Sequence, residues 1–202
     1  MNQVKIDTIL EAANKIFVRY GYQKTSMDDI AREAMIGKGT IYHYFSSKED
    51  IFVAILQDIH KDMNTKLKKK IKKAKTFEDK FKIFLTEPIS HFVSNHQLIM
   101  QVLNEDSPVF LKKLMDFKMD VHTNFINELK SIFNFGLDHG VFKQSYVKEI
   151  DKVIEFIFRW IFLGGEHVKI NITEDKIDEI KHDYQLFLDI LLNGLILKEE
   201  VF

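Results

Sequence analysis

The sequence contains no cysteine. That removes disulfide staples, thiol nucleophiles and cysteine-ligated metals together, and it fits a reducing compartment, the cytoplasm being the expected one. Proline occurs twice and glycine eight times in 202 residues. Hairpins and sandwiches use both residues heavily at their turns, so an all-β fold is not expected. Long apolar runs are missing as well. The stretches 156–163 and 186–197 carry Arg159, Asp189 and Asn193, and both fall short of the roughly 20 apolar residues a membrane helix needs. The opening residues Met1–Asp7 lack a basic region leading into an apolar one and do not read as a secretory signal. A soluble protein is expected.

What is present is ordinary for one or two globular domains: 46% hydrophobic and 29% charged residues, with 18 Phe to fill a core. The net charge of −1 hides a division. Residues 1–80 hold 16 Lys and Arg against 11 Asp and Glu, and residues 81–202 hold 13 against 19. Only the first end is suited to a polyanion, and modestly so, since residues 1–50 balance at seven of each sign.

Apolar residues recur at helical spacing almost throughout, and no alternating run asks to be a strand. Ile6, Ile9, Leu10, Ala13, Ile16, Phe17 and Tyr20 form a first stripe that Gly21 stops. Ser26 with Asp29 reads as a capping box for a short second helix, and a third short segment spans Lys38 to Phe45. Ser47 with Asp50 caps a long helix through Ile51, Ile55, Ile59, Met63, Leu67, Ile71 and Ala74. Thr76 and Asp79 open another, expected to end near Ser94 and give way to irregular helical material up to Asp106. Pro108 suits the first turn of a helix that closes near Gly136 or Gly140, and two more are expected at 148–170 and 173–197. The fold class is all-α, with about nine helices.

The stretch from Met27 to Ile51 carries the chemistry. A helix of about eight residues, a tight turn and a second short helix form a helix-turn-helix, which sets its second helix in the DNA major groove. Gly39 leaves the backbone N–H groups at that helix start open to a phosphate, and Lys38 adds charge there. Thr40, Tyr42, His43 and Tyr44 crowd polar tips into one and a half turns, while Ile41 and Phe45 make an i, i+4 apolar pair toward the domain core. Packing alone does not account for four polar-tipped side chains on so small a helix.

Ile9-Leu10-Glu11-Ala12-Ala13, Phe17, Tyr20-Gly21-Tyr22, Thr25 to Ala31 and Lys38 to Asp50 together resemble the amino-terminal domain of TetR-family transcriptional regulators. The resemblance covers about a quarter of the chain; the remainder agrees in length and helical character. It implies a DNA-binding domain at 1–50 and a ligand-binding and dimerisation domain at 51–202. It implies phosphate contacts from Thr25, Ser26 and Lys48, a groove position for Lys38, Gly39 and Thr40, and backbone or base contacts from Tyr42 and His43. Tyr44 is divided between the groove and the core. Two positions depart from the family pattern: Met35 stands where Gly is usual, and Gly37 where a small hydroxyl residue or Ala is usual. Either Met35 adopts a left-handed conformation, at a strain on the order of 1 kcal/mol, or the turn is reshaped around Gly37.

Other motifs carry less. The lysines at 66, 68, 69, 70, 72, 73 and 75 lie roughly 30–40 Å along a helix from Lys48 and read as a solvated face. Gly37-Lys38-Gly39-Thr40 lacks the order and the earlier glycine of a phosphate-binding loop. His91 and His96 are five apart, on different helix faces, and no zinc-protease or serine-hydrolase pattern occurs. No enzyme activity, metal or cofactor is expected.

The Phe-rich second half fits either a plain helical core or the wall of an apolar ligand cavity. The candidate wall is Phe84, Phe92, Leu103, Phe117, Phe125 and Trp160, with His91, His122, Asn124 and Glu166 as orienting polar groups. The last two helices offer Val153, Ile157, Ile161, Gly164 and Gly165 on one and Ile180, Tyr184, Phe187, Leu191 and Leu195 on the other. The resemblance implies a homodimer joined through a four-helix bundle of this pair; burial inside one chain is the alternative. The expected function is a repressor that binds a palindromic operator as a dimer and is released by a small, largely apolar molecule. A ligand-independent DNA-binding or protein-interaction factor, and an activator, stand as alternatives.

Overall fold

The computed structural model describes residues 2–103, 107–163 and 174–196, which form nine helices. They are α1 (Asn2–Tyr20), α2 (Met27–Glu33), α3 (Lys38–Tyr44), α4 (Lys48–Lys73), α5 (Phe77–Leu103), α6 (Pro108–Asp138), α7 (Gln144–Val147), α8 (Ile150–Leu163) and α9 (Glu174–Leu195). The extended pairing among the described residues is one isolated bridge, Phe142 with Ile196. None of these helices is long and apolar enough to cross a membrane.

Packing divides the chain into two units, Met1–Asp62 with Ser94–Val121, and Met63–Val93 with His122–Phe202. α4, α5 and α6 each have residues in both units.

In the first unit α1 buries Ile9, Ala12, Ala13, Ile16 and Phe17, the i, i+3, i+4 stripe that the sequence shows. Gly21, at φ +88°, closes the helix by donating to the Phe17 carbonyl at 2.9 Å. Phe52 on α4 meets Phe17 at 5.2 Å, Tyr22 at 5.0 Å and Phe110 at 5.6 Å between ring centroids, and Tyr22 stacks on Phe110 at 5.2 Å. In the second unit Phe77, Phe81, Phe133 and Phe142 form a comparable cluster, the closest pair being Phe77 and Phe142 at 4.8 Å. Gly136 lies against it, where a Cβ would fall 2.6 Å from Phe142 Cζ, so any side chain there displaces a ring. Among the described residues no buried side-chain polar atom lacks a partner.

Two expectations change. α5 continues through Ser94 to Leu103 as one helix despite Pro88 inside it. Buried Phe84 and Leu85 hold its first half and buried Leu98 its last part, and that anchoring outweighs the missing backbone hydrogen bond at the proline. The helix expected at 148–170 is preceded by a separate turn, α7, and α8 starts at Ile150; its expected end lies outside the described residues.

Candidate nucleic-acid interface

The connection between α2 and α3 settles the first open choice. Ala34 ends α2, Met35 donates to the Arg32 carbonyl at 3.2 Å and Ile36 to that of Ala31 at 3.0 Å. This pair of bonds is a Schellman motif, which requires a left-handed residue at its penultimate position. Met35 occupies that place at φ +53°, whereas Gly37 is extended at φ −69° and ψ 149°. The same motif at the end of α6 uses Gly140, at φ +63°, as the geometry prefers. Met35 is also 92% exposed, so its side chain returns no packing for the strain. The variant Met35→Gly is therefore expected to stabilise the protein by about 1 kcal/mol, read as a raised midpoint in chemical denaturation; a lowered midpoint contradicts the assignment.

α3 is pinned to the domain by Ile41, fully buried, with half-buried Phe45 and Tyr44 beside it. That leaves Lys38, Gly39, Tyr42 and His43 exposed at i, i+1, i+4 and i+5, one continuous outward face. Thr40 is half-buried at its edge. The Lys38 ammonium pairs with Asp28 at 2.8 Å, which holds its pKa above the usual lysine value. The His43 ring stands edge-on to Tyr44 at 5.1 Å.

The flanking candidates are more committed than their residue types imply. Thr25 is buried, with its hydroxyl donating to the Gly21 carbonyl at 2.9 Å and its backbone N–H to that of Tyr22 at 3.2 Å. Both its donors serve the turn before α2. Ser26 is the N-cap of α2: its Oγ accepts from the Asp29 amide at 3.2 Å and donates to the Asp29 carboxylate at 2.5 Å. The Lys48 ammonium donates to the carbonyls of Tyr22 at 2.9 Å and Thr25 at 3.0 Å and lies 4.3 Å from the Tyr22 ring centre. Two of its three protons are taken.

Sequence reasoning missed the braces behind this face. Gln101 on α5 accepts from the Tyr22 amide at 2.6 Å and donates to the Phe17 carbonyl at 3.0 Å. Tyr22 in turn donates to Glu49 at 2.9 Å. Lys113 on α6 pairs with Asp50 and donates to Ser47 Oγ at 3.1 Å, clamping the cap of α4. No local pattern marks Gln101, because its partner is 79 residues away.

Burial alone would push the Asp50 carboxyl up, but the Lys113 and Ser47 hydrogen bonds outweigh it and hold the pKa below the usual carboxylate value. A depressed folded-state pKa contributes stability that is present above the unfolded-state value, about 4, and lost as pH falls through the folded one. Lys113→Met is expected to raise the Asp50 pKa in a carboxyl NMR titration. Its stability deficit against the parent is expected at pH 6 and to fade as pH falls below the unfolded-state value, about 4, and through the lower folded-state one; a deficit that persists unchanged in acid assigns the loss to packing instead.

The other candidates divide. Phe84 and Phe125 meet at 4.5 Å between ring centroids, Phe158 lies 6.1 Å from Phe125, and His122 stands edge-on to Phe158 at 5.4 Å. His91 is half-buried in the same unit. Phe117 belongs to the other unit, packed on its core and edge-on to His60 at 5.8 Å. Of the expected interface, Ile157 and Leu195 are buried in the second unit's own core, and Val153, Phe187 and Leu191 are half-buried against it. Among the described residues, the large apolar side chains exposed on the same two helices are Phe156 (59%), Leu186 (52%) and Ile190 (65%). Gly164, Gly165 and Glu166 lie outside the described residues, as do the side chains of Phe92, Leu103, Trp160, Ile161, Ile180 and Tyr184. No group of three metal-ligating side chains occurs among the described residues.

Residues 9–55 match the bacterial regulatory proteins of the TetR family. The chain is 32% identical over 192 residues to the transcriptional regulator QacR of Staphylococcus aureus, covering 94% of this chain and 97% of that one. Among solved structures, a transcriptional regulator from Cytophaga hutchinsonii superposes with a TM-score of 0.74 at 21% identity, over 96% of this chain and 99% of that one. FadR of Bacillus subtilis in complex with stearoyl-CoA superposes with a TM-score of 0.59 at 21% identity, over 93% and 97%. The anchored α3 with its exposed polar face, the all-helical fold and a near-full-length relative above 30% identity agree: the chain belongs to the TetR family of helix-turn-helix transcriptional regulators, DNA-binding proteins and not enzymes.

Proposed function

We propose that this chain is a dimeric repressor that binds a palindromic operator through α3 and is released by a small, largely apolar molecule. The observation that carries the reading is the outward face of Lys38, Gly39, Tyr42 and His43 on a helix held by buried Ile41. A short helix so anchored presents its polar tips in one fixed orientation, the condition for reading base edges. In this reading Thr40 meets base edges, Lys38 and the Gly39 backbone meet the groove wall, and Tyr42, His43 and Tyr44 reach phosphates. Thr25 and Ser26, each exchanging an internal hydroxyl hydrogen bond, and the remaining Lys48 proton add phosphate contacts that position the domain without reading sequence. Residues 1–50 form the DNA-binding part and 51–202 the regulatory and dimerising part. Phe156, Leu186 and Ile190 supply the apolar contact between protomers, whose two α3 helices then meet half-sites about 34 Å apart.

The ligand half rests on Phe84, Phe125, Phe158 and His122, an aromatic group with one polar member, and on the stearoyl-CoA held by the structurally similar FadR. A ligand acts only through unequal affinity for the DNA-fitting and non-fitting forms. A hundredfold loss of operator affinity needs about 2.7 kcal/mol of such coupling. α4 is the natural carrier, since Lys48 at its start holds the turn before α2 and the helix continues to Lys73 in the second unit. The test is a gel-shift titration at 150 mM salt, with a duplex selected by the protein from a random pool, repeated with added stearoyl-CoA. Palindromic enrichment, and release that accompanies a raised thermal midpoint, are expected. Failure to enrich a palindrome defeats the reading; palindromic binding indifferent to acyl and aromatic compounds leaves a ligand-independent regulator.

A further inference from the structure

Between α1 and α2 lies a groove of about 550 Å3, lined by Ile16, Arg19 and Tyr20 of α1, Lys24 and Thr25 of the connection, and Asp29, Arg32 and Glu33 of α2. Its two carboxylates are already answered. Asp29 accepts from the Ser26 hydroxyl and amide and from Arg32 at 3.1 Å, and Glu33 pairs with Lys15. Those hydrogen bonds, the Ser26 hydroxyl foremost, lower the Asp29 pKa, so its charge stays in place and stays occupied. Arg19 and Lys24, both exposed, have no ion-pair partner among the described residues. The Arg19 guanidinium is steadied 5.1 Å over the Tyr20 ring.

The groove therefore carries two uncompensated positive charges at a concave surface, where the low-dielectric wall focuses their field. Its mouth is open and charged, which suits a solvated polyanion better than an enclosed metabolite. Its α2 wall is tied to α3 through side chains. Asp28, which holds Lys38, stands one turn from Arg32 on α2, and the Lys48 that supports α2 grips the carbonyl of Thr25 in the groove wall.

We propose that this groove seats a backbone phosphate of the DNA flanking the bases that face α3, with Arg19 and Lys24 as its cations. The inference rests on the operator-binding reading and extends the contact surface beyond α3 and the start of α4. The contact is a point-charge one and carries no base specificity; its signature is counterion release.

The experiment compares the parent with the double variant Arg19→Gln, Lys24→Gln on the selected duplex, measuring affinity between 50 and 300 mM KCl. Each phosphate contact contributes about 0.9 to the slope of log K against log salt. The variant is expected to lose about 0.9 of slope per protomer, with an unchanged base preference and an unchanged thermal midpoint, while Arg19→Lys, Lys24→Arg keeps the parent slope. A variant slope within 0.3 of the parent's, with the parent binding its palindrome, overturns this proposal alone. So does a thermal shift with 10 mM inorganic phosphate that depends on both residues while the slope stays put, since the groove then serves a small anion. A parent that selects no palindrome overturns the operator reading and this inference with it.

Discussion

Replacing Tyr42 and His43 together by alanine lowers operator affinity by on the order of a hundredfold while leaving the thermal midpoint within about 1 °C of the parent. The first half follows from contact energies: groups that reach bases or phosphates contribute about 1–3 kcal/mol each. The second half follows from burial. Tyr42 is 47% exposed and His43 exposed, and α3 is held by Ile41 and Phe45 rather than by either. Within the protein the double substitution removes the edge-on stack of His43 on Tyr44, a surface pair worth little. Band-shift titration and differential scanning calorimetry on the same preparation read the two quantities. A double variant that grips the selected duplex like the parent removes α3 from the interface.

Phe52→Ala gives the opposite pattern, a large loss of stability with DNA binding reduced only as the folded fraction falls. Phe52 is fully buried and touches three aromatic rings contributed by α1, the connection to α2, and α6. Truncating such a side chain costs about 3–5 kcal/mol, because the cavity collapses only partly. Set against a total stability of about 5–15 kcal/mol, this leaves the first unit marginal. The expected reading is a midpoint lowered by about 10 °C, with Phe52→Leu retaining most of it. A Phe52→Ala midpoint within 2 °C of the parent contradicts the packing described for the cluster. Together the two variants separate the residues that read DNA from those that hold the reader in shape.

The two also mark where sequence reasoning succeeds. The capping of α2 by Ser26 and Asp29 and of α4 by Ser47 and Asp50, and the stop of α1 at Gly21, were legible because their partners lie within four residues. So was the outward face of α3, since seven residues at helical spacing reveal which side Ile41 anchors. Met35 was legible only as a choice between two turns; the hydrogen bonds of Ile36 and Met35 to α2 decided it. The bond from the Thr25 hydroxyl to the Gly21 carbonyl, four residues away, was not read from the sequence.

Helical periodicity and end signals are local interactions, so the amino-acid sequence by itself determined the all-helical class, most helix starts and the outward polar face of α3. Tertiary structure alone decided that α5 runs on past Ser94, that Gln101 reaches back to Tyr22, and that Ile157 and Leu195 turn inward while Phe156, Leu186 and Ile190 stay outside. On a helix apolar around most of its circumference, several faces satisfy the same pattern. Which one is buried depends on neighbours distant in the chain, and no nearby residue records that choice.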